Sequence, residues 1–570
     1  MSPGNRRERK AAEARERRPA GAAPPPVTLA HAHGLAREGR FGEAFDAYLQ
    51  LARTPRFDAL ARHQFGEFLC ANAPARAHPD IDAAFAAALG QAWLRPDALV
   101  QPVARYLDAK WPGVLDRPLP GNAVVFLDAP GVGGLLGDPL LLALLKATPA
   151  ATPRLDMFLA RSRHAALAAS ARADLNALLP FLDALGQRAA TSGFALTLPQ
   201  SPGDGDALAR EDGLVADLQE RIRQHMPRPP VGLVALLACY QSLAPLGEAL
   251  AREPALAGLY ARHIDDPATE ARLAAALAPA TRFGADTDPV RGQYEAFPYP
   301  LWISEPTGLP PAIPKNVQRF QRKHGRYRPA SVLVAGCGTG QHIVTARERW
   351  PDSAMLAIDV SAASLAYAIR KSGELGVADT RFALADLMHA DALGQRFDVI
   401  EAAGVLHHLA SPLDGLRALG GVLAPGGVMR IGLYSRTARR HLEAARRLAT
   451  SPLLRTAAEL RSFRAVALGE LGINEVLYSP DFYSLGGVKD LIFHEREHSF
   501  DLPEIAALLA AAGLDFIGVE PPTGADRLAT IPQPDDLEGW HRAEQAEPLL
   551  FGSMYTVWAG RIGERAAAHR

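Results

Sequence analysis

The chain has 570 residues, 48% of them apolar and 22% charged, with a formal net charge of −1. That length calls for more than one domain, and the balanced charge supplies no overall field toward nucleic acid or an anionic membrane. Cys70, Cys239 and Cys337 form no CxxC pair, which points away from a disulfide framework or a cysteine zinc site and fits a reducing compartment.

In chain order, residues 1–28 mix Arg, Glu, Ala and Pro and read as a disordered tail. The basic run 6–10 is followed by no apolar core, so no secretory signal is expected. The longest apolar stretch, 231–246, is broken by Gln241 and Ser242 and is too short to span a bilayer; cytoplasm is the expected location. Residues 29–112 carry a helical pattern. Ala32, Leu35, Gly39, Ala44, Tyr48 and Pro55 fall near the positions of one tetratricopeptide-like helix pair, without further copies at a fixed period. Residues 113–280 form a second helical region, with core helix candidates at 140–145 and 235–239. Within it, the strand-like run 124–127 precedes Gly131-Val132-Gly133-Gly134, which lacks the Gly-Lys-Ser/Thr ending of a phosphate loop. The aromatic and proline-rich segment 293–302 reads either as a brace on the next domain or as a lid over a pocket.

From residue 331 the pattern alternates. Strands are expected at 332–335, 355–359, 380–384, 398–402 and 428–433, with helices at 361–373 and 411–423 between them. Such alternation predicts a parallel, doubly wound sheet with ligands at the carboxyl ends of its strands. Residues 436–500 interrupt it as an insertion. Helix 502–512, strand 514–520 and a last strand near 554–562 resume it, the final pair making a hairpin-like edge.

The chemistry-bearing stretch is Val332-Leu333-Val334-Ala335-Gly336-Cys337-Gly338-Thr339-Gly340-Gln341, an apolar strand running into alternating glycines. Such a turn lets a ligand touch bare backbone. Asp359 closes the second apolar run, at the spacing of about 20 residues that suits a carboxylate gripping ribose hydroxyls. His494-Glu495-Arg496-Glu497-His498 satisfies the helical zinc-hydrolase pattern in both directions. It sits at an element's end, however, because Asp501 and Pro503 start a new helix, so no metal is expected there. Asp490, His494 and His498 are expected instead to shape an acceptor pocket beside Tyr483.

These motifs, with Ala385-Asp386-Leu387, Phe397-Asp398-Val399-Ile400-Glu401, Gly404-Val405-Leu406-His407-His408-Leu409 and Leu423-Ala424-Pro425-Gly426-Gly427, occur in the order of class I S-adenosylmethionine-dependent methyltransferases, which the C-terminal half resembles. The fuller arrangement is similar to a bacterial group in which a tetratricopeptide-like region precedes that domain. The resemblance implies an α/β fold, a Rossmann-like seven-stranded sheet, mostly parallel with its last strand antiparallel, spanning 290–570 and preceded by an all-α region. It implies S-adenosylmethionine as cofactor. Gly336, Cys337, Gly338, Gly340 and Gln341 would hold its methionine and ribose part, Asp359 and Val360 the ribose, Asp386 and Leu387 the adenine, and Gly404, Val405 and His408 the region of the methyl group. His407, His408 and Tyr483 are the candidate catalytic residues. The acceptor is expected to be a metabolite or a protein bound by the helical region; the Asn/Asp-Pro-Pro-Tyr pattern of enzymes acting on DNA adenine is absent from the stretch after the fourth strand. One departure stands out: Val334 occupies the place where the family usually has an acidic residue, with Gln341 and a water as the expected compensation. The competing reading is a helical adaptor whose Rossmann domain senses a cofactor or is inactive.

Overall fold

The computed structural model describes residues 27–72, 77–171, 175–199, 206–282, 288–377, 379–470, 475–522 and 525–561. All but the last two residues of the expected disordered tail lie outside these. The chain divides into two compact units, 1–72 and 73–570. The division falls inside the 29–112 stretch that the sequence pattern treats as one helical part.

The first unit contains the helices Leu29–Arg37, Phe41–Ala52 and Ala59–Ala71. Thr28 and Asp58 cap two of them by accepting the otherwise unpaired N–H groups of His31 and Ala61. Ala32, Leu35, Ala44 and Tyr48 are buried, and Tyr48 stacks on Phe65 with ring centroids 4.9 Å apart.

The second unit starts with helices and continues into the sheet. The leucine run 140–145 lies in the helix Pro139–Ala147, which buries Leu140, Leu141, Leu144 and Leu145. The strand-like run 124–127 is instead a 3-10 turn, Ala123–Phe126, started by the Asn122 side chain. An apolar run that short carries no period of its own and takes the form its flanking turn residues impose.

The sheet comprises β1 (Ser331–Ala335), β2 (Ala354–Asp359), β3 (Thr380–Leu384), β4 (Phe397–Ala403), β5 (Leu423–Tyr434), β6 (Asp515–Val519) and β7 (Met554–Gly560), in the order β3-β2-β1-β4-β5-β7-β6. The first five strands are parallel, and β7 runs antiparallel to both β5 and β6. The mostly parallel sheet with an antiparallel last strand agrees with the expectation. The detail differs: β7 slots between β5 and β6, leaving β6 alone at the edge. Burial explains this, because Val557, Trp558 and Ala559 are covered on both faces while β6 opens with exposed Asp515. Leu333, Leu356, Ile400 and Met429 face one core; Val332, Val334, Met355 and Val399 face the other. At the opposite edge, Ala280 donates its N–H to Leu384 O at 2.8 Å, so the end of the helical region covers β3. Strand order reverses at β1, which is flanked by β2 and β4, and the crevice at their carboxyl ends follows from that reversal.

The insertion is helical, with Ala457–Glu470 and Leu485–Ile492 as its longer elements. It is tied to the helical region through a fully buried ionic group. Asp156 accepts from Arg188 at 2.9 Å and from Arg464 at 2.6 Å, and Arg464 also donates to the carbonyls of Phe482 and Ala195. Burial alone would raise the Asp156 pKa, but the two guanidiniums hold it below the usual carboxylate range. Replacing Arg464 by Met leaves Asp156 half-compensated in a dry interior and is expected to cost about 3–5 kcal/mol of stability, read as a lowered urea midpoint. A change under about 1 kcal/mol would contradict this role.

Candidate functional site

β1 stops at Gly336, and the helix Gln341–Arg349 starts with Gly340 as its N-cap. Gly336, Gly338 and Gly340 have φ of +67°, +52° and +84°, which disfavours any side chain at these positions. Space forbids one as well: a Cβ on Gly336 would lie 2.4 Å from Val405, and one on Gly340 2.7 Å from Ala368. Asp359, at the end of β2, accepts the Gly338 N–H at 2.8 Å and the Ser361 N–H at 2.9 Å. Its burial pushes its pKa up, while these N–H groups oppose the rise.

The turn borders a cavity of about 1060 Å³. Of the residues expected to hold a nucleoside ligand, all but Gly340 line it; Gly340 packs behind, against Ala368. Asp386 caps the next turn by accepting the Met388 N–H at 2.9 Å, and its own N–H reaches Thr281 from the helical region. The aromatic segment 293–302 both braces and lines the cavity. Trp302 donates to Thr339 O at 3.0 Å, and Glu295 caps the helix Ala362–Glu374 through the N–H groups of Ala362 and Ala363. Tyr294, Tyr299 and Pro300 of the same segment face the cavity.

The far wall is a phenol and carboxylate cluster. Tyr294 and Tyr434 donate to the two oxygens of Asp490 at 2.7 and 3.2 Å, and Tyr299 donates to Asp481 at 2.6 Å. Among the described residues no lysine or arginine lies within ion-pair distance of Asp481 or Asp490; His494, 4.0 Å from Asp490, is neutral. Burial, with the Asp490 and Asp97 charges added, pushes the Asp481 pKa up to about 6. His408 Nδ1 lies 2.9 Å from Arg496 O, so Nδ1 carries the proton and Nε2 keeps its lone pair. Burial holds this imidazole neutral.

Three expected positions are corrected. His407 is fully buried, stacked on Tyr434 with centroids 3.7 Å apart, and does not line the cavity. Tyr483 is also outside; its hydroxyl donates to Leu477 O at 2.6 Å beneath the insertion, and Tyr294, Tyr299 and Tyr434 stand where it was expected. His498 ties loops together through Leu409 O rather than facing an acceptor. The sequence pattern missed these tyrosines because their convergence needs segments nearly 200 residues apart; only the aromatic density of 293–302 signalled them.

The zinc-hydrolase pattern is not helical, since the helix before it ends at Ile492. His408, Asp490 and His494 do gather ligand-type atoms within 4.8 Å. Their arrangement does not suit zinc. The two imidazoles stack 3.6 Å apart at 14°, so their in-plane lone pairs run side by side instead of converging at the roughly 2.0–2.1 Å a Zn–N bond needs. His494 Nδ1 accepts the Arg496 N–H at 3.0 Å, which leaves the proton on Nε2.

Residues 332–427 match the family model described as a methyltransferase domain. A stretch of 142 residues is 34% identical to an uncharacterized protein of Synechococcus sp., covering 23% of this chain. The chain thus spans about a third, 33%, of the length of that curated relative. Among solved structures, PKMT2 from Rickettsia typhi aligns at 15% identity over 45% of this chain and 56% of its own, with a TM-score of 0.32. Magnesium protoporphyrin IX methyltransferase from Synechocystis PCC 6803, solved with SAH, aligns at 14% over 43% of this chain and 79% of its own, with a TM-score of 0.25. With the strand order above, the family match identifies a class I, Rossmann-like methyltransferase domain in the C-terminal part of the chain.

The raised Asp481 carboxyl gives a signed prediction. The folded state holds this proton more tightly than the unfolded chain, so its contribution lowers stability as pH rises from about 4 to about 6. Asp481→Asn keeps the oxygen that accepts from Tyr299. It is expected to stabilise the protein at pH 7 by on the order of 2 kcal/mol and to have no effect near pH 4, measured by denaturant titration at both values. Equal stability at pH 7 would contradict the assignment.

Proposed function

We propose that this methyltransferase domain is active and transfers a methyl group from S-adenosylmethionine to an acceptor entering the same cavity. The observation that carries the reading is convergence: the glycine turn, Asp359, Asp386 and the phenol and carboxylate wall all face one space of about 1060 Å³. That volume is at the upper end of small-molecule sites, about 300–1,000 Å³, and so has room for two reactants. The residues suit the cofactor. Gly404 presents bare backbone with nothing within 4 Å of where its Cβ would be, and Gly338 leaves its backbone against the same space. The helix Gln341–Arg349 has no side-chain cap, leaving its N-terminal N–H groups for a carboxylate.

When bound, S-adenosylmethionine supplies an electrophilic methyl on its sulfonium. In this reading Asp359 accepts from the ribose hydroxyls, and Asp386 and Leu387 meet the adenine. Gly404 and Val405 position the region of the methyl. His408 Nε2 takes the acceptor's proton, and Tyr294 and Tyr434, fixed by Asp490, orient the acceptor. The buried aromatic walls exclude water, which keeps the sulfonium from hydrolysis. The acceptor is a metabolite or a protein engaged by the helical region, and the setting is the cytoplasm. No helix among the described residues is long and apolar enough to cross a membrane. The adaptor reading rests on Val334 alone.

Calorimetry decides between the two. The protein should bind S-adenosylmethionine, and Asp359→Ala should weaken binding by about 1.5–3 kcal/mol for each charged hydrogen bond lost. No binding by the wild type at millimolar cofactor would refute the enzyme reading, and unchanged affinity in the variant would refute the ribose assignment. His408→Gln should slow transfer of a labelled methyl into acceptors of a cell extract by about 10²-fold or more. An unchanged rate would remove His408 as the base.

A further inference from the structure

Val334 leaves β1 without an acidic side chain at its carboxyl end. Across the sheet its register partner on β4 is Glu401, so a carboxylate stands at the same level one strand over. Glu401 is fully buried and heavily engaged. It accepts from Arg349 Nη1 at 2.8 Å on both oxygens, from Trp350 Nε1 at 2.7 Å and from His342 Nε2 at 2.6 Å. Burial would raise its pKa, but His342, Arg349 and Arg430 outweigh that and hold it far below the usual range.

His342 is the one of these residues that lines the cavity, with its side chain 24% exposed. It sits in the first turn of the helix that follows the glycine turn. A carboxylate only accepts, so Nε2 donates to Glu401, and the lone pair on Nδ1 is what the ring has left to offer a ligand. The charges agree with a neutral ring. Arg349 already balances Glu401, and Arg430, 3.9 Å from Glu401, is taken by Glu520 at 2.9 Å. Gln341, the expected compensation for Val334, is committed elsewhere: its Nε2 donates to Glu305 at 2.8 Å.

We propose that His342, oriented by Glu401, accepts a hydrogen bond from the ammonium group of the methyl donor's amino-acid end, the task an acidic side chain at position 334 would have performed. An ammonium carries only donors, and a neutral imidazole protonated on Nε2 presents only an acceptor. The donor's carboxylate is left to the uncapped helix N-terminus beside it. His342 is thus a binding residue and Glu401 the residue that positions it. The assignment rests on the reading of the cavity as an S-adenosylmethionine site.

Two nucleosides separate the possibilities in a calorimetric titration of the full chain. S-adenosylhomocysteine carries the amino-acid end, and 5′-methylthioadenosine lacks it. His342→Ala should weaken S-adenosylhomocysteine by roughly ten- to a hundredfold, the loss of one hydrogen bond to a charged group, while leaving 5′-methylthioadenosine unchanged. Binding of the second ligand doubles as the check that the variant is folded. Equal weakening of both ligands, or of neither, would overturn the assignment. A wild-type protein that binds neither would overturn the reading of the whole cavity, and this assignment with it.

Discussion

The geometry of the site depends on one turn. β1 must end where Gly336 begins because nothing larger fits between it and Val405, and the following helix must start at Gly340 because Ala368 leaves no room for a side chain there. The Gly338 N–H, donated to Asp359, pins this turn to the end of β2. Three elements are thereby held together: the carboxyl end of β1, the helix Gln341–Arg349 and the loop after β4 that carries Gly404 and His408. Their common register creates the crevice, and the sheet order places it at the reversal point.

Around that fixed point, the remaining walls come from distant stretches of the chain. Tyr294 and Tyr299 arrive from the connector, Asp481 and Asp490 from the insertion, and Asp97 and Thr281 from the helical region. The buried Asp156–Arg464 pair shows why these parts act together: a charge in the helical region is neutralised by one in the insertion, so neither part can leave without exposing the other to an unpaired ion. Asp481 and Asp490 are treated differently. Neutral phenols, rather than cations, satisfy them, which leaves the acceptor end of the cavity acidic while the turn at its other end presents N–H groups.

Much of the sheet was legible because parallel strands buried on both faces read as short apolar runs between glycine and proline turns. β3 coincides with the predicted 380–384, and Ser361, Ser411 and Asp501 cap the helices whose starts they mark. The Asp501 cap also settles why the histidine pattern before it is a loop. What sequence could not convey is which distant segments meet. Tyr483 and Tyr294 are equally aromatic; only the packing of the insertion puts one beneath the surface and the other in the cavity. His407 and His408 are adjacent, yet the turn sends the first ring onto Tyr434 and the second toward the ligand space. The missing acid at 334 read as a defect because Glu401 becomes its neighbour only through the β1–β4 register.

The central claim is that the turn and the phenol wall enclose one methyl-donor site. The most direct measurement is a crystal structure of the full chain with S-adenosylhomocysteine. The account predicts density for the ligand in the cavity, its ribose on Asp359, its adenine beside Asp386 and Leu387, and its sulfur facing His408 and Tyr294. A ligand bound elsewhere, or a nucleoside seated away from Asp359, would contradict it.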